Sequence, residues 1–91
     1  MGEAEVTYYV EWDDRALTAL DEIWKTSHDR EAIQNVATRI DTELTFNPTE
    51  AGESREGDFR VLFKFPIVVW FRVIERIQLV QVVYIRAIRR G

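Results

Sequence analysis

The spacing of hydrophobic and polar positions divides this chain into segments of different period. Residues 6–12 alternate with period two, and their apolar and aromatic face carries Val6, Tyr8, Val10 and Trp12. β-branched and aromatic residues at this period are typical of a strand. The chain is therefore predicted to begin with one short strand.

Two amphipathic helices are predicted after this strand. Asp13-Asp14 supplies an N-cap, because a short carboxylate accepts hydrogen bonds from the free amides of a first helical turn. Apolar residues then recur at three- and four-residue steps: Ala16, Leu17, Leu20, Ile23 and Trp24. Beyond a break at residues 26–29, a second stripe follows: Ala32, Ile33, Val36, Ala37, Ile40 and Leu44. Pro48 ends this helix, because proline disfavours helical geometry in the residue before it.

Three consecutive strands are predicted over residues 58–65, 67–74 and 77–86. Residues 49–57, which precede them, hold two glycines and three glutamates and are predicted to form a solvated loop. The order strand, helix, helix, strand, strand, strand predicts an α+β fold with a two-helix hairpin on one face of a small, mainly antiparallel sheet. Because 91 residues leave no room for a second core, residues 1–91 are predicted to form a single domain.

One face of this sheet is predicted to stay apolar although no helix covers it. Strict alternation along the three strands places these residues on the uncovered face, between arginines: Leu62, Trp70, Val80, Val82 and Tyr84. Since two helices cover only one face, we expect these positions to contact a partner. We also expect the same face to favour a homodimer when the protein is isolated.

Charge divides the chain at nearly the same point as the elements do. Residues 1–51 hold 4 Lys/Arg against 12 Asp/Glu, a net of −8, whereas residues 52–91 hold 8 against 4, a net of +4. Positive charge concentrated on the sheet favours a polyanion or an acidic peptide as partner. The overall charge of −4 argues against a protein that binds nucleic acid without regard to sequence.

Composition narrows the chemistry further. There is no cysteine, so disulfides and thiolate chemistry are excluded, and the single histidine, His28, has no second imidazole beside which to bind a metal. No metal site and no cofactor is expected. The longest apolar run, residues 65–71, is far shorter than the ~20 residues of a membrane helix. Without a visible signal peptide, a cytoplasmic protein is expected.

Basic residues and one tyrosine of the sheet half are the remaining candidates for chemistry: Arg55, Arg60, Lys64, Arg72, Tyr84, Arg86, Arg89 and Arg90. Guanidinium groups bind phosphate through two parallel hydrogen bonds and stabilise developing negative charge. A catalytic cluster would combine Arg60, Arg72 and Arg86, with Tyr84 beside them in proton transfer or base stacking. The alternative, which is the stronger interpretation for Arg89 and Arg90, is that such arginines are solvated ends of a sheet.

The sequence resembles the RelE/ParE superfamily of bacterial toxins over residues 6–86. The resemblance rests on the strand leading into Trp12-Asp-Asp-x-Ala-Leu and on the helix that closes at Asn47-Pro48. It also rests on Gly52-Glu-Ser-Arg, on Phe59-Arg-Val-Leu and on the aromatic strand that follows. It implies a toxin of a type II toxin–antitoxin module that is neutralised by a small antitoxin. Growth would be inhibited through cleavage of mRNA on the ribosome or through DNA gyrase.

The resemblance also implies roles for individual residues. A basic pair expected on the strand at 58–65 is matched by Arg60 and Lys64, but an arginine expected early in the next strand is replaced by Ile67-Val68-Val69. Because this basic set is incomplete, ribosome-dependent endoribonuclease activity stays open. The residues expected to be catalytic are Arg60, Arg72, Tyr84 and Arg86. The residues expected to bind an antitoxin are Leu62, Lys64, Trp70, Arg72, Val80 and Val82. A non-catalytic protein-interaction module, or an inactive relative with the same fold, is the alternative.

Overall fold

The computed structural model of this chain describes residues 6–88. Strand β1 spans Tyr9–Trp12, helix α1 spans Asp14–Thr26, and helix α2 spans Arg30–Phe46. Strands β2, β3 and β4 span Glu53–Ser54, Phe59–Lys64 and Ile67–Ile74. A 3₁₀ turn at Glu75–Ile77 leads into β5, which spans Leu79–Ala87. The predicted α+β class and the order of the long elements are confirmed, and the two-residue strand β2 is an addition within the segment predicted as a loop.

Both helices begin where the sequence predicts. The Asp13 carboxylate accepts a hydrogen bond from the Ala16 amide at 3.0 Å, and Asp29 caps α2 through the Ala32 amide at 3.0 Å. The connection between the helices is only three residues long, so they are antiparallel neighbours. Arg30 strengthens this connection, because its guanidinium donates to the last carbonyls of α1. No helix among residues 6–88 is long and apolar enough to cross a membrane.

The sheet has the strand order β1-β5-β4-β3-β2. β1 runs parallel to β5, and the other neighbouring strands are antiparallel. The pairing of β4 with β5 contains a bulge: Trp70 pairs with Tyr84, and Phe71 pairs with Val82. Val83 is therefore an extra residue in β5. Even-numbered side chains before it and even-numbered side chains after it point to opposite faces of the sheet.

The core lies between the helices and one face of the sheet. α2 contributes Ile33, Val36, Ile40 and Leu44, and the sheet contributes residues that alternate along its strands: Leu62, Ile67, Val69, Phe71, Val80, Val82 and Ile85. The expectation that Leu62, Val80 and Val82 lie on the uncovered face is therefore wrong. Leu62 pairs with Val69 of the central strand, so both side chains point toward the helices. The bulge at Val83 shifts the alternation of β5 by one residue, so Val80 and Val82 also point toward the helices.

Candidate functional site

The face of the sheet that points away from the helices, which we call the open face, is largely aromatic. Cross-strand pairing places these side chains of β3, β4 and β5 on it: Phe59, Val61, Phe63, Val68, Trp70, Arg72, Gln81, Tyr84 and Arg86. The two valines are buried, whereas Phe63 is 58% exposed and Tyr84 is 39% exposed. The surface that a partner would meet is therefore made of aromatic rings and two arginines.

An aromatic pair occupies the middle of the open face, with one arginine on each side along the strands. The ring centroids of Trp70 and Tyr84 are 5.7 Å apart, and their planes are tilted by 47°. The guanidinium of Arg72 lies 6.0 Å from the centroid of the Phe59 ring. Arg86 pairs with Val68, four residues from Arg72 along β4, which is about 13 Å in a strand. The backbone positions of the two arginines thus bracket the aromatic pair.

The charged side chains on the three long strands of this face are both positive, Arg72 and Arg86. β3, β4 and β5 contain no Asp or Glu within their bounds. Carboxylates lie only at the edges of the described open face, where Glu11 accepts a hydrogen bond from Gln81 at 3.3 Å and Glu53 pairs with Arg55 at 3.0 Å. This distribution favours a partner that brings negative charge together with apolar groups.

The basic pair on β3 lies on the other side of the sheet. Arg60 donates to the carbonyl oxygens of Ala51 and Gly52, at 2.9 and 3.3 Å, and so holds the loop before β2 against β3. Lys64 forms an ion pair with Glu43 of α2 at 2.7 Å. The structure therefore does not bring Arg60 together with Arg72 and Arg86, because Arg60 pairs with Phe71, whose side chain is in the core.

Of the predicted site residues, Trp70, Arg72, Tyr84 and Arg86 share the open face. Arg89 and Arg90 lie outside the described residues. Tyr84 supplies a hydroxyl near the aromatic centre, but β3, β4 and β5 offer no carboxylate or imidazole that would act as a general base. His28 lies in the connection between the helices, and no group of His, Asp and Glu in residues 6–88 is arranged to hold a metal ion. The arrangement is suited to binding anionic and aromatic groups.

Comparison with known proteins gives matches in structure and none in sequence. No protein-family profile matches this chain, and no curated protein is significantly similar to it. A chain of the toxin–antitoxin complex RelBE2 from Mycobacterium tuberculosis superimposes with a TM-score of 0.75 at 16% identity, covering 94% of this chain and 97% of that one. A chain of the chromosomal ParDE system from P. aeruginosa gives 0.70 at 20% identity, covering 91% and 98%. The chain has a RelE/ParE-like fold.

The RelE/ParE-like fold also occurs as part of a longer chain. TrmO from Pseudomonas aeruginosa matches with a TM-score of 0.62 at 22% identity, over 94% of this chain but only 38% of TrmO. At such identities the likeness is one of fold. The resemblance noted in the sequence is thereby confirmed for the fold. Since proteins with one fold can have different functions, the evidence for the function of this protein lies in its surfaces.

A second surface of this RelE/ParE-like fold was not predicted. A groove of about 620 Å³ runs between α1 and α2, with Leu17 and Trp24 of α1 and Ala37 of α2 among its lining residues. Leu17 and Trp24 belong to the apolar residues that recur along α1, but Leu17 is 49% exposed and Trp24 is 36% exposed. One signal in the sequence could have revealed this groove. The apolar residues of α1 cover an arc wider than a helix with a single buried face requires.

Proposed function

We propose that this protein is the toxin component of a toxin–antitoxin pair, and that a small antitoxin neutralises it by covering the open face. The observation that carries this proposal is the open face itself, on which exposed aromatic rings and two arginines lie on strands without a carboxylate. An aromatic surface of this kind on a small protein favours a protein partner. Two structures with this fold are toxin–antitoxin complexes, which supports a paired antitoxin.

The chemistry of the open face indicates the chemistry of the antitoxin. An amphipathic helix or an extended strand with acidic residues would bury its apolar side chains against Phe63 and the Trp70–Tyr84 pair. This apolar contact would supply most of the affinity. Acidic residues facing Arg72 and Arg86 would speed the encounter and set the register of the bound segment. Without a partner, the same face would favour a homodimer, which sedimentation at high micromolar concentration measures.

Arg72→Ala should weaken antitoxin binding by about 2 kcal/mol or more, which is about a 30-fold increase in Kd. Arg72 lies beside the Trp70–Tyr84 pair of the open face, with its guanidinium 6.0 Å from the centroid of the Phe59 ring, where a bound segment would exclude water from it. The measurement is calorimetric titration of the neighbouring gene's product into each variant. Arg39→Ala, on the exposed side of α2, removes the same charge away from the open face and should leave Kd unchanged. Equal Kd values for wild type and Arg72→Ala would contradict the assignment of this face.

For the action on the cell, we propose inhibition through binding of a protein target, with DNA gyrase as the candidate that the family resemblance provides. The open face has binding groups, but β3, β4 and β5 carry no carboxylate or imidazole to act as a general base. Ribosome-dependent cleavage of mRNA is the second candidate, and it is favoured by one observation. Arg72, Tyr84 and Arg86 share a face, where they would contact a phosphate and a base. Both targets are in the cytoplasm, so the protein is proposed to act there.

Tyr84→Phe separates these two actions, because it removes the hydroxyl and keeps the ring. If the protein cleaves RNA with Tyr84 in proton transfer, translation-dependent cleavage in a cell extract should fall by about a hundredfold or more. If it acts by binding gyrase, inhibition of supercoiling by the purified protein should persist in this variant. Growth arrest on induced expression is the first readout for both actions. Absence of arrest would favour the alternative, a non-catalytic interaction module or an inactive relative.

A further inference from the structure

We propose that a polar pocket at the end of the sheet where β3 begins and β4 ends binds a free α-amino acid. We call it the loop pocket, because Thr49, Ser54 and Gly57 line it from the segment between α2 and β3. Arg60 of β3 and Val73 of β4 line it from the sheet. The inference stands independently of the proposed toxin function.

The loop pocket is separate from the open face and from the groove between the helices. Arg60 pairs with Phe71 and Val73 pairs with Val80, and both partners have their side chains in the core, so this pocket lies on the helix side of the sheet. Its described lining residues lie between 49 and 75 in the chain, outside both helices. Its volume of about 260 Å³ is below the range of about 300–1,000 Å³ that suits drug-sized ligands, so a smaller molecule fits it.

Charges of opposite sign line the loop pocket without pairing with one another. The guanidinium of Arg60 is positive, and the carboxylates of Asp58 and Glu75 are negative. Within residues 6–88, neither carboxylate forms an ion pair or accepts a hydrogen bond. A ligand with both an anionic and a cationic group would pair with both kinds of charge. A simple anion or a simple cation would meet like charge as well as opposite charge.

The group that would bind the anionic end of the ligand is held in place by the loop. Arg60 donates from Nε to the carbonyl oxygen of Ala51 at 2.9 Å and from Nη2 to that of Gly52 at 3.3 Å. These bonds fix the plane of the guanidinium, and Nη1 has no acceptor among residues 6–88. A ligand carboxylate would therefore accept a charge-assisted hydrogen bond from a side chain that is already ordered.

The remaining groups of the loop pocket suit an amino acid better than a metal ion. The hydroxyls of Thr49 and Ser54 can donate to a carboxylate or accept from an ammonium group, and Ser54 pairs in register with Arg60. Val73 gives a small apolar wall for a side chain. A hard cation such as Ca²⁺ takes six to eight oxygen ligands, and here it would also meet the positive charge of Arg60.

The experiment titrates each of the common L-amino acids separately into ¹⁵N-labelled full-length protein. At least one of them should shift the backbone amide signals of Ser54 and Gly57 saturably, with a Kd of about 1 mM or lower, and leave the indole signal of Trp70 on the open face in place. The amine and the carboxylic acid with the same side chain should each bind at least about tenfold more weakly. This comparison tests the contact with Arg60 without altering an arginine that also holds the loop.

A double variant of exposed residues tests the ammonium end of the ligand. Asp58→Asn with Glu75→Gln removes both negative charges, so it should raise the Kd of the best amino acid by about tenfold or more. Glu22→Gln with Glu31→Gln changes the net charge equally on the exposed sides of α1 and α2 and should leave this Kd unchanged. The proposal is overturned if no amino acid binds, if the amine or the carboxylic acid binds as tightly, or if the shifts occur at Trp70 alone. Unchanged binding in the Asp58→Asn, Glu75→Gln variant would overturn it too.

Discussion

Ile40→Ala should lower the free energy of unfolding by about 2–5 kcal/mol. Ile40 is fully buried in the middle of α2, in the core between the helices and the sheet. Alanine is a good helix former, so the loss would come from apolar contacts and from the cavity that remains. Urea unfolding measures the effect. The slope of the unfolding free energy against urea concentration should stay the same as in wild type, which would show that the unfolded state is unaffected.

Thr42→Ala is the matched control for this experiment. Thr42 lies two residues away on the same helix, with its side chain exposed. Substitutions at such surface positions usually change stability by less than about 0.5 kcal/mol. A loss as small as that for Ile40→Ala would mean that Ile40 does not contribute to the core and that the packing described for α2 is incorrect.

Gly52→Ala should also destabilise the protein strongly, by about 2–5 kcal/mol. Gly52 has a φ of +66°, a conformation that costs other residues about 1–2 kcal/mol. An added Cβ would lie only 2.3 Å from the carbonyl oxygen of Val61, so the loop and β3 would have to move apart. Forcing extra volume into a packed site commonly costs a further 1–3 kcal/mol or so. Separation at this point would also strain the hydrogen bonds of Arg60 to the loop.

Gly57→Ala distinguishes the two contributions. Gly57 has a similar φ of +71°, but an added Cβ would meet only the edge of the Phe59 ring, at 4.0 Å. This variant should therefore show the backbone cost alone, about 1–2 kcal/mol in thermal or urea unfolding. If Gly52→Ala and Gly57→Ala lowered the free energy of unfolding by the same amount, the close approach of Gly52 to β3 would be ruled out. A larger loss in Gly52→Ala would measure how firmly the loop is held.

Local signals explain why the elements could be predicted. Asp13 and Asp29 each accept a hydrogen bond from a backbone amide three residues further along the chain, and so cap α1 and α2. Pro48 ends α2 because proline disfavours helical geometry in the residue before it. Strand β2 escaped prediction because its two residues, Glu53 and Ser54, have little β propensity of their own. They become a strand only through pairing with Arg60 and Val61.

The sequence predicted the face of some candidate site residues and not of others. Trp70 and Arg72 lie on the open face as expected, because β4 is regular in its pairing with β3 and has one uniformly apolar face that points inward. Arg60 and Lys64 were expected to take part in catalysis or antitoxin binding. Both are instead engaged on the helix side, by loop carbonyls and by Glu43. Nothing in the alternation of β3 by itself says which face points inward, since both faces contain apolar residues.

The type and order of the long elements follow from local signals, because caps and periodicity act within a few residues, and the concentration of positive charge in the sheet half follows from composition. Which side chains form the candidate site depends instead on how the strands and helices pack. One extra residue, Val83, places Val80 and Val82 in the core and Tyr84 and Arg86 on the open face. Packing of α1 and α2 against the same face of the sheet leaves Leu17 in a groove. Both outcomes depend on pairing between residues far apart in the chain, where a shift of one position exchanges the faces of a strand.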